Sequence, residues 1–254
     1  MTCSRILAMS ALVAAFAIAG IKPGAAKTPP PPICVNVGGT SGCFSSIQAA
    51  VNAAPTETTI NVSPGTYFEN VTIGGGEVAI LNSTISGNVA EAGSASGSAG
   101  GGIENNGGKV TLNNVTIADN TAGTGGGVDT SAGRNFKISN SIISNDTGTE
   151  LDNDCAGKID SRGFNLILDT TGCTFIGKTS TDITGMDPLL QALALNLPGT
   201  TETQALTAGS PALTKGNPAT PNGKGIRCFA TGQNGLVRPK GECDIGAFQL
   251  SGVI

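Results

Sequence analysis

The stretch Asn82-Ser83-Thr84-Ile85-Ser86-Gly87-Asn88 returns as Asn114-Val115-Thr116-Ile117-Ala118-Asp119-Asn120, then as Asn140-Ser141-Ile142-Ile143-Ser144-Asn145, at spacings of 32 and 26 residues. Gly-rich triplets beginning at Gly74, Gly100 and Gly125 accompany it, 26 and 25 residues apart. Self-similarity at such a period marks a solenoid, because one unit of this length cannot bury its own apolar face and needs a neighbour stacked on it. The extra six residues of the first spacing are assigned to Glu91–Gly97, a run of small residues expected to bulge outward as a loop.

Each period therefore reads as one coil of a parallel β-helix, and the fold class is all-β: a single-stranded right-handed solenoid. Ile85, Ile117 and Ile143 are expected to stack in its interior, with the Asn residues at the bends. Coils lie about 4.8 Å apart, so an Asn in one bend can hydrogen-bond its equivalent above and below. Asn61, Asn70, Asn82, Asn114 and Asn145 also fit the N-x-[ST] glycosylation pattern, but a period explains their placement better than scattered acceptors do.

Composition agrees with short strands and tight turns. There are 38 Gly, one Tyr, no Trp and no His, so small aliphatic side chains must fill the interior. From Thr58 onward apolar residues alternate, as in Ile60 and Val62, then Val71 and Ile73 after the Pro64-Gly65 turn. Upstream, Phe44 to Pro55 reads as a short amphipathic helix with a Ser45/Gln48 capping box and a face of Ile47, Ala50, Val51 and Ala54. It is placed to cover the first coil, since an open end exposes unpaired strand edges.

The first residues carry Arg5, an apolar run from Ile6 to Ala19, then Pro23-Gly24-Ala25-Ala26. This is the pattern of a signal peptide cleaved after Ala26, with Gly20 and Pro23 arguing against a retained anchor. Export is thus expected, to periplasm, medium or a loose cell-surface association, with no transmembrane segment in the mature chain. The organisation reads as 1–26 signal peptide, 27–33 Pro-rich spacer, 34–57 N-terminal cap, 58–186 coils and 187–254 C-terminal cap. The mature chain is expected to be a monomer.

Of the 14 basic side chains, Arg5 and Lys22 leave with the signal peptide, so 12 face 18 acidic ones at a net charge of −6. That balance argues against nucleic acid as a partner. The last segment is locally basic, with Lys215, Lys224, Arg227, Arg238 and Lys240 against Glu242 and Asp244. Lys215, Lys224, Arg227 and Lys240 are candidates for binding an acidic polysaccharide or envelope glycan, whereas Arg238 is read as tying down the segment through backbone carbonyls or Asp244. Six mature cysteines form three close pairs along the chain, Cys34 with Cys43, Cys155 with Cys173 and Cys228 with Cys243, which in an exported protein reads as local disulfides. Zinc is the competing reading, but there is no C-x-x-C spacing and no His.

Several further stretches carry a family resemblance. Thr181-Asp182-Ile183-Thr184-Gly185-Met186-Asp187-Pro188-Leu189-Leu190, Thr203-Gln204-Ala205-Leu206, Gly209-Ser210-Pro211-Ala212-Leu213, Arg238-Pro239 and Cys243-Asp244-Ile245-Gly246-Ala247-Phe248 resemble the C-terminal pattern of bacterial choice-of-anchor Q proteins. The central repeats are similar to those of the same group and of polymorphic outer-membrane proteins. The resemblance implies a pectin-lyase-like β-helix that is exported and often displayed on the surface, and it supplies no activity. Gln204 stands where the pattern has His, Gln249 where it has Glu, and no recognisable anchor follows Phe248, which points to release rather than covalent display.

Catalysis would need more than this chain displays. Resemblance to a polygalacturonase calls for paired Asp motifs and a Gly-His-Gly element; a lyase needs a strong base beside a cation that acidifies the sugar proton. The best constellation is Asp119, Asp129 and Arg134, with Glu150, Asp152 and Asp154 further along. Acidic side chains on a solenoid are ordinarily solvated surface, and calcium is the one cofactor these residue types leave open. Glu150-Leu151-Asp152-Asn153-Asp154 lacks EF-hand spacing, with Cys155 in the place of the Gly. The expectation is a non-catalytic scaffold for surface, adhesive or polysaccharide-binding use, the alternative being a pectate-lyase-like enzyme acting on acidic glycans.

Overall fold

The computed structural model describes residues 33–35, 39, 43–54, 59–62, 66–67, 69–90, 99–131, 135–148, 153–223 and 225–250. The segment 1–26 read as a signal peptide, most of the Pro-rich spacer, the loop assigned to Glu91–Gly97, and Arg134, Glu150, Asp152 and Lys224 lie outside the described residues.

The chain is mostly β, and its strands recur in the order the repeats announce. β1 (Ile33–Val35), α1 (Ile47–Ala53), β2 (Thr59–Val62) and β3 (Thr66–Tyr67) form the start. Then come β4 (Val71–Ile73), β5 (Glu77–Leu81) and β6 (Thr84–Ser86), and next β7 (Ile103–Asn105), β8 (Lys109–Asn113), β9 (Thr116–Ala118) and β10 (Thr121–Ala122). β11 (Val128–Thr130), β12 (Asn135–Ser139), β13 (Ile142–Ser144) and β14 (Thr147–Gly148) follow, then β15 (Cys155–Ser161), β16 (Leu166–Ile167), β17 (Cys173–Gly177) and β18 (Ile183–Thr184). Pairings among these strands are parallel, and each joins equivalent strands of successive repeats. One ten-stranded sheet runs β1-β2-β5-β8-β12-β15 and returns through β11-β7-β4, with β17 added to β15; a six-stranded sheet runs β3-β6-β9-β13-β16-β18. This is an architecture compatible with a β-helix or solenoid.

The register places like on like. Ile85, Ile117, Ile143 and Ile167 are successive partners in one sheet, Val78, Val110 and Phe136 in the other, with Ile80, Leu112 and Ile138 beside them. All ten are fully buried. Stacked β-branched and Leu side chains fill most of the core, with Phe136 and Tyr67 as its buried aromatics, each contributing about 1.5 to 3 kcal/mol by leaving water.

Two kinds of residue turn the corners. Asn82, Asn114 and Asn140 end β5, β8 and β12 in the left-handed region, with φ of 49°, 53° and 48°. Asn reaches that region more readily than other residues with a side chain, because its amide can bond locally. The glycine triplets fare differently. Gly100 to Gly102 and Gly125 to Gly127 precede β7 and β11 and lie on one another, and a Cβ on Gly101 would run into the carbonyl oxygen of Gly126. Gly74 to Gly76 instead lies in the β4–β5 turn, where its equivalent is Asn106 to Gly108, and a Cβ on Gly74 or Gly75 would meet open space. The spacing of 26 between the first two triplets is therefore not a structural period, whereas 32 and 26 between the Asn markers are.

The helix is shorter than expected and capped differently. Ser46, not Ser45, is its N-cap, with Oγ accepting from Ala49 N at 3.1 Å. Glu69, from the approach to β4, supplies the remaining acceptors: it takes Ile47 N at 2.6 Å, Gln48 N at 3.0 Å and Ser46 Oγ at 2.6 Å. Gln48 is thereby free of the capping box, and its Oε1 accepts from Thr72 N at 2.7 Å, pinning α1 to β4. Sequence proximity suggested a local partner, but the carboxylate from the next layer is the stronger acceptor.

The C-terminal segment was expected to close the far end of the stack. It runs along its side instead. After β18 the antiparallel pair β19 (Leu190–Leu195) and β20 (Glu202–Leu206) turns back, and the chain packs Ala205, Leu206, Ala212, Ile245 and Phe248 against Ile142 and Leu166. The contacts reach back to the first marker repeat: Thr84 Oγ1 donates to Gln233 Oε1 at 2.7 Å, and Ala247 N donates to Thr116 Oγ1 at 3.0 Å. Thr116 and Ala118 alternate with Ile117 and face away from the core, yet both are buried under this segment. The end strand keeps Thr174, Ile176 and Gly177 exposed. The reason lies in β6, β9, β13 and β16, whose outward faces bear Ser, Thr, Ala, Ile and Leu and have more to gain from cover than the narrow end has.

Disulfides join Cys34 to Cys43, Cys155 to Cys173 and Cys228 to Cys243. The first ties β1 to the entry of α1, the second links the starts of β15 and β17, and the third closes the flanking segment. Among the described residues no helix is long and apolar enough to cross a membrane.

Candidate functional site

Where each repeat leaves the six-stranded sheet, a left-handed residue turns the chain so that the next side chain enters the stack. Gly87, Asp119 and Asn145 hold this place, with φ of 71°, 59° and 61°, and Asn88, Asn120 and Asp146 follow them. These three form a ladder. Asn120 Oδ1 accepts from Asn88 Nδ2 at 2.9 Å and Asn88 N at 3.0 Å, and Asp146 Oδ1 accepts from Asn120 Nδ2 at 2.8 Å and Asn120 N at 2.7 Å. Asn120 Nδ2 also lies 3.2 Å from the carbonyls of Ile85 and Ala118. Such bonds satisfy backbone and amide groups that no repeat could satisfy alone.

Below Asp146 the ladder becomes acidic. Asp154 Oδ1 accepts from Asp146 N at 3.1 Å, and its Oδ2 accepts from Asp169 N at 2.7 Å. Asn153 completes the local set, taking Gly148 N on its Oδ1 at 3.2 Å and donating Nδ2 to Asp169 at 3.0 Å. Asp146 Oδ2 is buried with no hydrogen-bond partner. Burial pushes the Asp146 carboxyl well above the ordinary range, and Asp154 adds to this, against the pull of the two Asn120 donors. Burial also pushes Asp154 up to about 6, opposed by the amides of Asp169 and Asp146.

Of the acidic candidates read from sequence, the structure gathers two around this ladder. Asp154 is a member; Asp119 is its exposed neighbour, taking Gln204 Nε2 on Oδ2 at 2.5 Å and so fixing β20 to the stack. Asp129 sits apart on β11, buried, with Oδ1 accepting from Ser131 N at 2.7 Å. Asn145 is the turn residue rather than a ladder amide. Asn88 and Asn120 bond one above the other as the repeat suggests, whereas Asp146 and Asp169 went unrecognised, although Asp146 stands 26 residues after Asn120, as Asn140 does after Asn114. No set of three His, Cys, Asp or Glu side chains is arranged to hold a metal ion among the described residues.

The basic candidates divide in the same way. Lys215 and Lys240 are exposed, and Arg227 Nη1 donates to the Thr220 carbonyl at 3.1 Å. Arg238 is buried and donates to the carbonyls of Asp244 at 2.8 Å, Gly246 at 3.0 Å and Ala247 at 2.8 Å, and to Asn82 Oδ1 at 3.3 Å. It ties down its own segment through backbone carbonyls, as the sequence suggested, and also reaches the first Asn corner, which the sequence did not announce. Burial lowers its pKa to about 10, so it stays charged at neutral pH. A cavity of about 460 Å³ opens between α1 and the first layers, lined by Gln48, Val51, Asn52, Ile60 and Thr72.

No family model, curated protein or solved structure matches this chain.

Proposed function

We propose that the chain is an exported, non-catalytic β-helix scaffold of the cell envelope or extracellular space, a single-stranded right-handed solenoid like those of choice-of-anchor Q proteins, that holds polysaccharide on its strand faces. The observation that carries this is the employment of its buried chemistry. Asp154 and Asp244 accept from backbone amides and Arg238 donates chiefly to backbone carbonyls, as positioning groups do in a scaffold. The three disulfides and the absence of a long apolar helix among the described residues fit an exported protein.

A second reading, a lyase or hydrolase acting on acidic glycans, draws on Glu104 and Asp129, which the register of β7 and β11 sets side by side. One experiment separates the two. Incubation with a panel of uronate polymers, with and without calcium, should give retention of protein on polymer without growth of unsaturated or reducing products. Turnover on any polymer would establish the enzyme; retention on none would remove the binding scaffold.

A further inference from the structure

The outward side chains of β5, β8, β12, β15 and β17 stand in columns set by their register. Glu77, Lys109 and Asn135 share one column; Ala79, Thr111, Lys137, Asp160 and Ile176 share the next. Lys158 stands opposite Thr174. Arg162 follows β15, with Nη2 2.9 Å from Asp160 Oδ2 on the same face. Lys178 follows β17 and donates its amide to the Ser161 carbonyl at 2.8 Å, which brings it level with Arg162. Lys109, Lys158 and Lys178 are exposed, and Lys137 and Arg162 are half-exposed.

This strip thus carries Lys109, Lys137, Lys158, Arg162 and Lys178 against Glu77 and Asp160, on a chain whose 18 acidic side chains outnumber its 14 basic ones. Asp160 is already paired with Arg162. Parallel strands follow one another about every 4.8 Å, so successive layers from β8 to β17 each add a cation along the stacking direction. The strip is only a few side chains wide. A slender polyanion can follow it, whereas a membrane or a duplex would also press against the acidic remainder. Among the described residues no Trp, Tyr or Phe is exposed, so charge rather than ring stacking makes the contact.

We propose that this face binds an extended polyuronate, its carboxylates meeting Lys109, Lys137, Lys158 and Lys178 in succession. The assignment rests on the glycan-binding reading above and moves the principal contact from the C-terminal lysines to the strands.

The test uses the full oxidised chain, with retention measured on polygalacturonate, alginate, a neutral glucan, phosphatidylserine vesicles and duplex DNA. Retention on the two uronates is expected, weakening as salt rises past about 0.15 M, where exposed charges are screened over about 8 Å. Lys137→Glu with Lys158→Glu should weaken it about tenfold, and Lys215→Glu with Lys240→Glu by less than about twofold. If thermal melting shows that the double Glu variant does not fold, Lys137→Gln with Lys158→Gln takes its place, with the loss expected in the same direction. Unchanged retention in the strand-face variant overturns the face and leaves glycan binding standing. Retention on no glycan overturns both, and tighter retention on vesicles or DNA overturns the ligand class.

Discussion

Replacing Arg238 by Met keeps most of the volume and removes every donor. The guanidinium sits on three carbonyls and on Asn82 Oδ1, at 2.8 to 3.3 Å, and its charge faces Asp244, itself buried and held by Thr214 N at 2.8 Å and Leu250 N at 2.7 Å. Removing one member of a buried charge pair usually costs about 3 to 5 kcal/mol, since the other is left without a counter-charge. Each orphaned carbonyl adds about 1 kcal/mol or more unless water reaches it, so the flank is expected to loosen and admit water before the loss exceeds about 5 kcal/mol. Urea denaturation with disulfides intact gives the magnitude. Hydrogen exchange gives the place: Gly246 and Ala247, which donate to Asn140 O and Thr116 Oγ1, should lose protection, while Val110 and Leu112 in β8 keep theirs. Arg238→Lys, with a point charge in place of a planar fork, should recover part of the loss. A loss below about 1 kcal/mol for Arg238→Met, or uniform loss of protection in both regions, would refute the role of this residue as the tie between flank and stack.

Three other outcomes follow from the core and the ladder. Because Asp154 has a folded pKa of about 6 against 3.8 unfolded, its contribution is fully present below pH 4 and is lost as pH rises through 6. At 1.36 kcal/mol per pH unit that amounts to about 3 kcal/mol; Asp146, also raised by burial, adds a decline of the same sign, and Asp146→Asn should flatten a melting-temperature profile against pH. Ile117→Ala should destabilise by about 2 to 5 kcal/mol in reversible denaturation, since the side chain is fully buried between Ile85 and Ile143; a value near zero would contradict the stacking. Gly101→Ala should lower the melting temperature sharply while Gly75→Ala leaves stability within about 1 kcal/mol of the parent, and equal effects would contradict the different places given to the two triplets.

The parallel stack was legible because its signals are local and repeated. Ile85, Ile117 and Ile143 can be aligned by counting, and Asn82, Asn114 and Asn140 mark corners because few other residues accept a left-handed backbone. Close cysteine pairs likewise announced their own bridges, since short loops close at little entropic cost. What counting could not supply is anything that depends on a contact between distant parts of the chain. Counting sets Asp146 one period after Asn120, but it does not bring Asp154 beside it. The cap on α1 comes from Glu69, 22 residues beyond Ile47, and the outer face of β9 is dry because Ala247 lies on Thr116, 131 residues away. Periodicity specifies which residues face inward, because the alternation of a strand is built into each repeat; which outward faces stay wet is decided only when the C-terminal chain folds back along the stack, and Asp146 and Asp154 lose their water only when neighbouring coils close around them.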